Sequence, residues 1–188
     1  MFRFHAICLC VIAALLWTRS ANGFVLEVYP AGQIQTLASA IRLAHDGDTI
    51  RVNAGTYREY DIRVDKAVTI DGKDFPTIDA GGQGQILEIV APGVTIRGLH
   101  FTGVPTSYIK EHAAIRLNNV HDCRILDNRF TDNFFAVYVA KSHHCRIVGN
   151  QIIGNATTLT AAGNGIHLWD CHDIAIENNL VRGHRDGV

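Results

Sequence analysis

The stretch that decides the fold is Gly93-Val-Thr-Ile-Arg-Gly-Leu-His-Phe101, because three later stretches of this 188-residue chain can be laid over it. These stretches span residues 122–130, 144–152 and 173–181. The overlay produces an isoleucine column at intervals of 29, 22 and 29 residues, and an apolar column five positions later. The members are Ile96, Ile125, Ile147 and Ile176 in the first column, and Phe101, Phe130, Ile152 and Val181 in the second. Such self-similarity is typical of a repeat architecture.

Between these columns the repeat unit contains short strands that alternate apolar and polar residues. Examples are residues 114–117, 136–139 and 165–168. One unit cannot bury its apolar face alone, but stacked copies can, at a rise of about 4.8 Å per coil. A propeller would need longer blades and tight hairpin turns. The sequence therefore predicts an all-β fold, a right-handed parallel β-helix of the pectin-lyase-like solenoid type.

The N-terminal part differs from the repeats. Residues 1–23 combine Arg3, a short apolar run and small residues before a cleavage point, which is typical of a secretory signal peptide. A retained N-terminal anchor is the alternative interpretation. Residues 33–44 have helical spacing of apolar residues, and we expect this helix to cap the open N-terminal end of the solenoid. The coils should begin at about residue 48.

The overlay also makes predictions about the ends and edges of the solenoid. Gly187 and Val188 align with the start of a strand, so residues 24–188 are expected to be the N-terminal part of a longer β-helix domain, truncated at its C-terminal end. Two insertions, 104–112 and 156–164, should leave the same edge two coils apart. Apolar residues in these polar loops favour a partner-binding surface, namely Tyr108, Ile109 and Leu159. Ordinary loop variation, with Tyr108 folded onto the coil, is the alternative.

Three histidines occupy one level of consecutive coils, each four residues before a column isoleucine: His121, His143 and His172. Rings on adjacent coils should lie about 5 Å apart, so that two of them could share a metal ion with His144. Imidazole with thiolate suits copper or zinc. A solvated polar ladder without metal is the competing interpretation.

Cysteine and asparagine columns accompany the histidines. Cys123 and Cys145 should both point into the core, within disulfide reach of each other. An unbridged, dry stack is the preferred prediction, and Cys171 has no evident mate. A third column contains Asn128, Asn150 and Asn179 and predicts an amide ladder that bonds the turn backbones.

The chain carries no basic stripe and a net charge of −1, which argues against a nucleic-acid partner. Four motifs then point to one family: residues 45–57 (HDGDTIRVNAGTY), 68–72 (VTIDG), 163–168 (GNGIHL) and 183–187 (GHRDG). Together they resemble the NosD family of periplasmic maturation proteins of nitrous oxide reductase, within a larger group of carbohydrate-binding and sugar-hydrolase β-helix repeats. The resemblance implies a non-catalytic accessory protein in the periplasm, exported by a cleavable signal peptide.

The same resemblance implies partners and a metal. The partners would be the permease and ATPase of an ABC transporter and nitrous oxide reductase with its copper chaperone. The metal would be copper, for assembly of a copper–sulfur centre. The alternative is a carbohydrate-binding or carbohydrate-active β-helix protein, a lyase, hydrolase or epimerase. Such enzymes need clustered carboxylates, whereas Glu88, Asp127 and Glu177 do not stack, so no catalytic residue is predicted.

Overall fold

The computed structural model describes residues 23–155 and 163–188, which contain one short helix and a succession of short strands. The predicted signal peptide, up to residue 22, lies outside the described residues. The elements are β1 (Val25–Val28), α1 (Leu37–Leu43), β2 (Thr49–Val52), β3 (Thr56–Arg58), β4 (Ile62–Val64), β5 (Thr69–Gly72), β6 (Thr77–Asp79), β7 (Leu87–Ile89), β8 (Thr95–Arg97), β9 (His100–Thr102), β10 (Ala113–Asn118), β11 (Arg124–Leu126), β12 (Arg129–Thr131), β13 (Phe135–Ala140), β14 (Arg146–Val148), β15 (Gln151–Ile153), β16 (Ile166–Trp169), β17 (Ala175–Glu177) and β18 (Leu180–Arg182).

The strands form three parallel sheets, and the chain visits each sheet once per coil. Sheet A has the order β1-β2-β5-β8-β11-β14-β17, sheet B the order β18-β15-β12-β9-β6-β3, and sheet C the order β16-β13-β10-β7-β4. Every strand pair that the structure describes is parallel and joins strands of neighbouring coils. The fold is therefore the parallel β-helix that the repeat predicted.

The repeat columns correspond to strand registers. Ile96, Ile125 and Ile147 are direct Cα partners in sheet A and are completely buried. In sheet B the rings of Phe101 and Phe130 stack with centroids 5.3 Å apart and planes 17° from parallel. Since both columns point inwards, the core is one continuous apolar stack along the solenoid axis, which confirms the overlay read from the sequence.

The N-terminal helix is shorter than predicted. It begins at Leu37, not at residue 33, because the hydroxyl of Thr36 accepts a hydrogen bond from the Ser39 N–H and caps the first turn. The Glu59 carboxylate accepts further bonds from the N–H groups of Leu37 and Ala38, at 2.7 and 3.0 Å. At the other end, the Lys66 ammonium donates to two helix carbonyls.

The helix contacts strands β1, β2 and β4 at the N-terminal end of the solenoid, which confirms its predicted capping role. Strand β1 was not predicted, and it pairs with β2 across the sequence that forms the helix. The first coil therefore begins at Val25, earlier than the expected residue 48. One consequence is that the isoleucine column has an additional member, Leu26, beside Ile50.

The two insertions leave the same corner of the solenoid, as predicted. The segment 103–112 joins β9 of sheet B to β10 of sheet C, and the segment 154–165 joins β15 to β16 of the same two sheets. The described coils between them turn this corner within a few residues. The corner between sheets C and A is different, because it keeps a uniform short turn and carries the histidines.

Candidate functional site

The predicted histidine column forms one continuous stack. His121, His143 and His172 pair with one another through isolated parallel β-bridges, which hold the three backbones at one level of successive coils. The ring centroids of His121 and His143 are 5.3 Å apart, and those of His143 and His172 are 4.8 Å apart. The ring planes of the second pair are almost parallel, with 4° between them. The 29-residue step before His172 therefore does not displace it from the column.

A second column runs directly beside the first and contains Asp122, His144 and Asp173. All three residues have a left-handed backbone, with φ between 53° and 57°, at the turn into sheet A. Asp accepts this conformation more readily than most residues, and His is also enriched there. Together the two columns make a two-by-three array of exposed or half-buried side chains, which we call the histidine–aspartate corner: His121, Asp122, His143, His144, His172 and Asp173.

The carboxylates orient two of the imidazoles. Nδ1 of His121 lies 2.8 Å from Oδ2 of Asp122, and Nε2 of His144 lies 3.4 Å from Oδ2 of Asp173. A carboxylate on one ring nitrogen fixes the tautomer and leaves the other nitrogen as a donor atom for a metal. The hydrogen bond from His121 also holds the pKa of Asp122 below its usual range.

The imidazoles also influence one another. Partial desolvation, and then the neighbouring rings of His172, His144 and His121, lower the pKa of His143 below its ordinary value. Protonation of one ring in the stack therefore disfavours protonation of the next. The corner consequently presents a neutral imidazole at its centre, and neutral imidazole is the form that binds metal.

The arrangement suits pairs of donors better than larger sets. Within residues 23–155 and 163–188, no three His, Cys, Asp or Glu side chains converge on a common point at metal-binding distance. The stacked rings face each other, so their nitrogen lone pairs run side by side. His121 and His144 have side chains about half exposed, at 48% and 58%, and can rotate without disturbing the core. Chemically the donors fit copper, and a pair of tilted rings could hold one ion.

Three cysteines lie under the corner. Cys123 and Cys145 are fully buried free thiols in the core, each two residues after a column histidine. Their Sγ atoms donate to backbone carbonyls, as in the 3.3 Å contact from Cys145 to the His143 oxygen. The hydrogen bond with the Cys145 thiol, together with burial, raises the pKa of Cys123. The unbridged dry stack is confirmed, and Cys171 is a free, half-buried thiol.

The asparagine ladder is confirmed as a structural feature. Asn128, Asn150 and Asn179 form consecutive rungs, and each side chain donates to a backbone carbonyl of the preceding coil at 2.8 to 3.1 Å. Each side-chain oxygen in turn accepts from the backbone N–H one coil below, as from Asn150 to Asn179. The ladder therefore holds the turns between sheets A and B.

Comparison with known proteins finds similarity to one family. The family model described as "Periplasmic copper-binding protein (NosD)" matches residues 100–188, the part of the chain that contains the histidine–aspartate corner. Two curated relatives carry the same family name, and both are called "Probable ABC transporter binding protein NosD". Over this region the chain is similar to the NosD family.

The similarity to these NosD proteins is partial in length. The relative from Stutzerimonas stutzeri is 29% identical over 153 residues, which cover 79% of this chain and 35% of the relative. The relative from Pseudomonas aeruginosa is 27% identical over 112 residues, which cover 58% of this chain and 26% of the relative. The chain thus spans about a third or less of the length of the curated relatives that it matches. Among solved structures, a pectin methylesterase from Aspergillus niger is similar over 85% of this chain and 77% of its own, with 14% identity and a TM-score of 0.47.

Two of the residues predicted to bind a partner, Tyr108 and Ile109, lie on the inserted corner of the solenoid. Ile109 is almost entirely exposed, at 95%, while the Tyr108 ring packs edge-on against Phe134, with centroids 5.3 Å apart. Tyr108 thus lies partly on the coil, as the alternative interpretation expected. Leu159 lies outside the described residues. The aromatic cluster that Tyr108 joins could not be recognised from the sequence, because its members are spread over two strands and a turn: Phe134, Phe135, Tyr138 and His167.

Proposed function

We propose that this chain belongs to an accessory protein for the maturation of nitrous oxide reductase, which helps to assemble the copper–sulfur centre together with an ABC transporter. The proposal is supported by the copper-binding description of the matched family and by the transporter-binding names of the two relatives. The proposed partners are the permease and ATPase of that transporter, and the reductase with its copper chaperone.

The observation that carries this proposal is the array of four imidazoles within the matched region. His121, His143 and His172 form one column and His144 stands beside it, with centroids 4.9 Å from His143 and 6.2 Å from His172. We assign copper binding to these four residues, two rings per ion. Asp122 and Asp173 act as positioning residues, because each lies against one imidazole nitrogen and leaves the other available.

The proposed role is non-catalytic. Carbohydrate-active enzymes on this scaffold need carboxylates within a few ångströms of one another, and Glu88 and Glu177 instead form ion pairs with Arg63 and Arg146. The carboxylates of Glu88 on sheet C and Glu177 on sheet A are therefore each bound by an arginine. A carbohydrate-binding module remains the second candidate in the same fold class, and direct binding of sugars would distinguish it.

The proposed location is the periplasm, reached through a cleavable signal peptide at residues 1–23. The description of the matched family names the periplasm. In the part of the chain that the structure describes, no helix has the length and apolar character needed to cross a bilayer. Sequencing the N-terminus of the protein recovered from a periplasmic fraction tests the location, with Phe24 as the expected first residue.

Copper titration of the purified protein tests the site. Wild type is expected to bind Cu(I) in competition with a chromophoric chelator, and the H121A/H143A/H172A variant to lose most of that binding. The matched control is H45A/H112A, which removes two histidines outside the corner. Equal stoichiometry in wild type and the triple variant would refute the assignment of copper to the corner.

Complementation tests the role itself. A denitrifying strain that lacks the protein is expected to make reductase with a copper-deficient catalytic centre, and the wild-type gene should restore it. Normal copper content of the reductase in the deletion strain would refute the maturation role, whatever the copper affinity of the corner.

A further inference from the structure

A cleft on the outward face of sheet B is separate from the histidine–aspartate corner and has no role in the proposed function. It encloses about 280 Å³ and is lined by side chains from four coils. The residues that matter for its chemistry are Asp74, Phe75, His100, Arg129, Thr131 and Gln151. It lies in the middle of the described solenoid, between β6 and β15, so all of its lining residues belong to described coils.

Arg129 is the principal cation of the cleft, and it has no acidic partner. Its guanidinium carbon lies 3.7 Å from the centroid of the Phe75 ring, and no ion pair joins it to a carboxylate in the described part of the chain. On sheet A, Arg51, Arg97 and Arg146 are paired with Asp or Glu, whereas Arg124 is not paired in the described residues. A guanidinium stacked on a ring keeps its in-plane N–H groups free, and these fit the two oxygens of a carboxylate.

The Phe75 ring, on which Arg129 stacks, is positioned by an unusual backbone conformation. Asp74 and Phe75 both have left-handed conformations, with φ of 62° and 56°. Positive φ is an outlier for a bulky residue such as Phe, and its cost persists only where the surroundings compensate for it. Here the compensation includes the stacking of Arg129, which reaches Phe75 from β12 across the coil that contains His100.

His100 forms the floor of the cleft, and burial followed by the charge of Arg129 lowers its pKa, which favours the neutral ring. The Thr131 hydroxyl donates to Thr102, so it accepts from Nε2–H of His100 at 2.8 Å. In the neutral ring, Nδ1 then accepts from the Thr77 hydroxyl, at 3.1 Å. Both ring nitrogens are therefore occupied. The floor contributes no positive charge, and recognition of an anion falls to Arg129.

The chemistry of the cleft favours a carboxylate over a neutral sugar. Sugars are commonly held by stacking on an aromatic face, and one face of the Phe75 ring is covered by the Arg129 guanidinium. The Gln151 amide lies beside Arg129 on the next coil and can donate to an oxygen anion. Asp74 carries negative charge at the rim and opposes the ligand, which limits its affinity.

We propose that Arg129, stacked on Phe75, forms a carboxylate-binding site on the outward face of sheet B. The carboxylate comes either from a free organic acid or from an acidic side chain of a protein. This site is independent of the proposed copper function, and the failure of one would leave the other standing.

Titration by nuclear magnetic resonance tests the site directly, with the side-chain amide signal of Gln151 as the readout, because this cleft residue is present in every variant. The probes are glutarate, as a free dicarboxylate, and hexaglutamate, as a protein-like acid. A saturable shift is expected with at least one probe. Glutarate binding would identify a free acid as the ligand, and binding of hexaglutamate alone would identify an acidic side chain. R129Q should weaken binding about tenfold, and D74N should strengthen it.

The control is Arg124, an exposed arginine on β11 of the same coil that faces outwards from sheet A and also has no ion pair in the described residues. R124Q is expected to leave binding unchanged. R129K retains the charge and the contact with Phe75 but loses the paired in-plane N–H groups of the guanidinium. It should therefore fold like wild type and still bind the carboxylate more weakly. Equal weakening by R124Q and R129Q, equal shifts with maltose, or no saturable shift with either probe would each overturn the proposal.

Discussion

The side-chain oxygen of Asn150 accepts two hydrogen bonds from Asn128, one from the backbone N–H at 2.9 Å and one from the side-chain amide at 3.1 Å. Both residues are at most 1% exposed. One amide therefore satisfies two buried donors of the coil below it. Its own amide nitrogen donates to the carbonyl of Ile125, at 2.9 Å. The turns between sheets A and B are thus held by side chains that alternate as donor and acceptor along the axis.

We expect N150A to lower the free energy of unfolding by about 2–4 kcal/mol, since the buried N–H of Asn128 would lose its acceptor. Urea denaturation followed by circular dichroism measures this loss. The exposed Asn155 is the matched control, and N155A should change the stability by less than about 0.5 kcal/mol. Similar losses in the two variants would show that the ladder contributes little.

Stability should fall as the pH drops below neutrality, and His100 should contribute to the fall. Burial and then the charge of Arg129 lower the pKa of His100 below its ordinary value of about 6.5. Below that value the unfolded chain binds a proton that the folded protein refuses, so unfolding is favoured until the folded-state pKa is passed. The dependence on pH should therefore appear from about pH 7 downwards, and H100Q should reduce it. A ring-proton titration of His100 at or above its ordinary value would contradict this prediction.

The exposed isoleucine of the first insertion should contribute to partner association. We expect I109S to weaken co-purification of the transporter by several-fold, because a central apolar side chain in an interface commonly contributes more than 1 kcal/mol. Deletion of residues 105–110 should have a larger effect. L43S provides the control, since Leu43 is also exposed, at 58%, but lies on the capping helix. Equal association of wild type and I109S, or an equal loss in L43S, would exclude this surface.

Much of the fold could be predicted from the sequence because register is a property of spacing. Ile96, Ile125 and Ile147 fall in one column of the overlay and are Cα partners in sheet A, since a parallel solenoid converts sequence period directly into stacking. The same argument placed Cys123 and Cys145 in the core. Strand β1 escaped prediction because helix α1 follows it, in place of the strands of sheets B and C that the later coils contain, so the overlay of whole coils does not extend to it.

The sites were less predictable than the fold, since they depend on rotamers and long side chains. The level of His121, His143 and His172 follows from counting, but the face-to-face orientation of their rings does not. The contact between Arg129 and Phe75 depends on a guanidinium that reaches over an intervening coil and on a left-handed phenylalanine. Neither the direction of the Arg129 side chain nor the φ angle of Phe75 can be predicted from the pattern of apolar residues.

Because the register of the three sheets is continuous, equivalent residues of successive coils are evenly spaced along the solenoid axis. Each coil displaces its corner residues by about 4.8 Å along one axis, so distances between equivalent side chains come in whole multiples of that step. Inserted residues are diverted to one corner and do not change the scale. Two surfaces that contact different coils are therefore held at a separation that is set by the number of coils between them and hardly varies with side-chain chemistry.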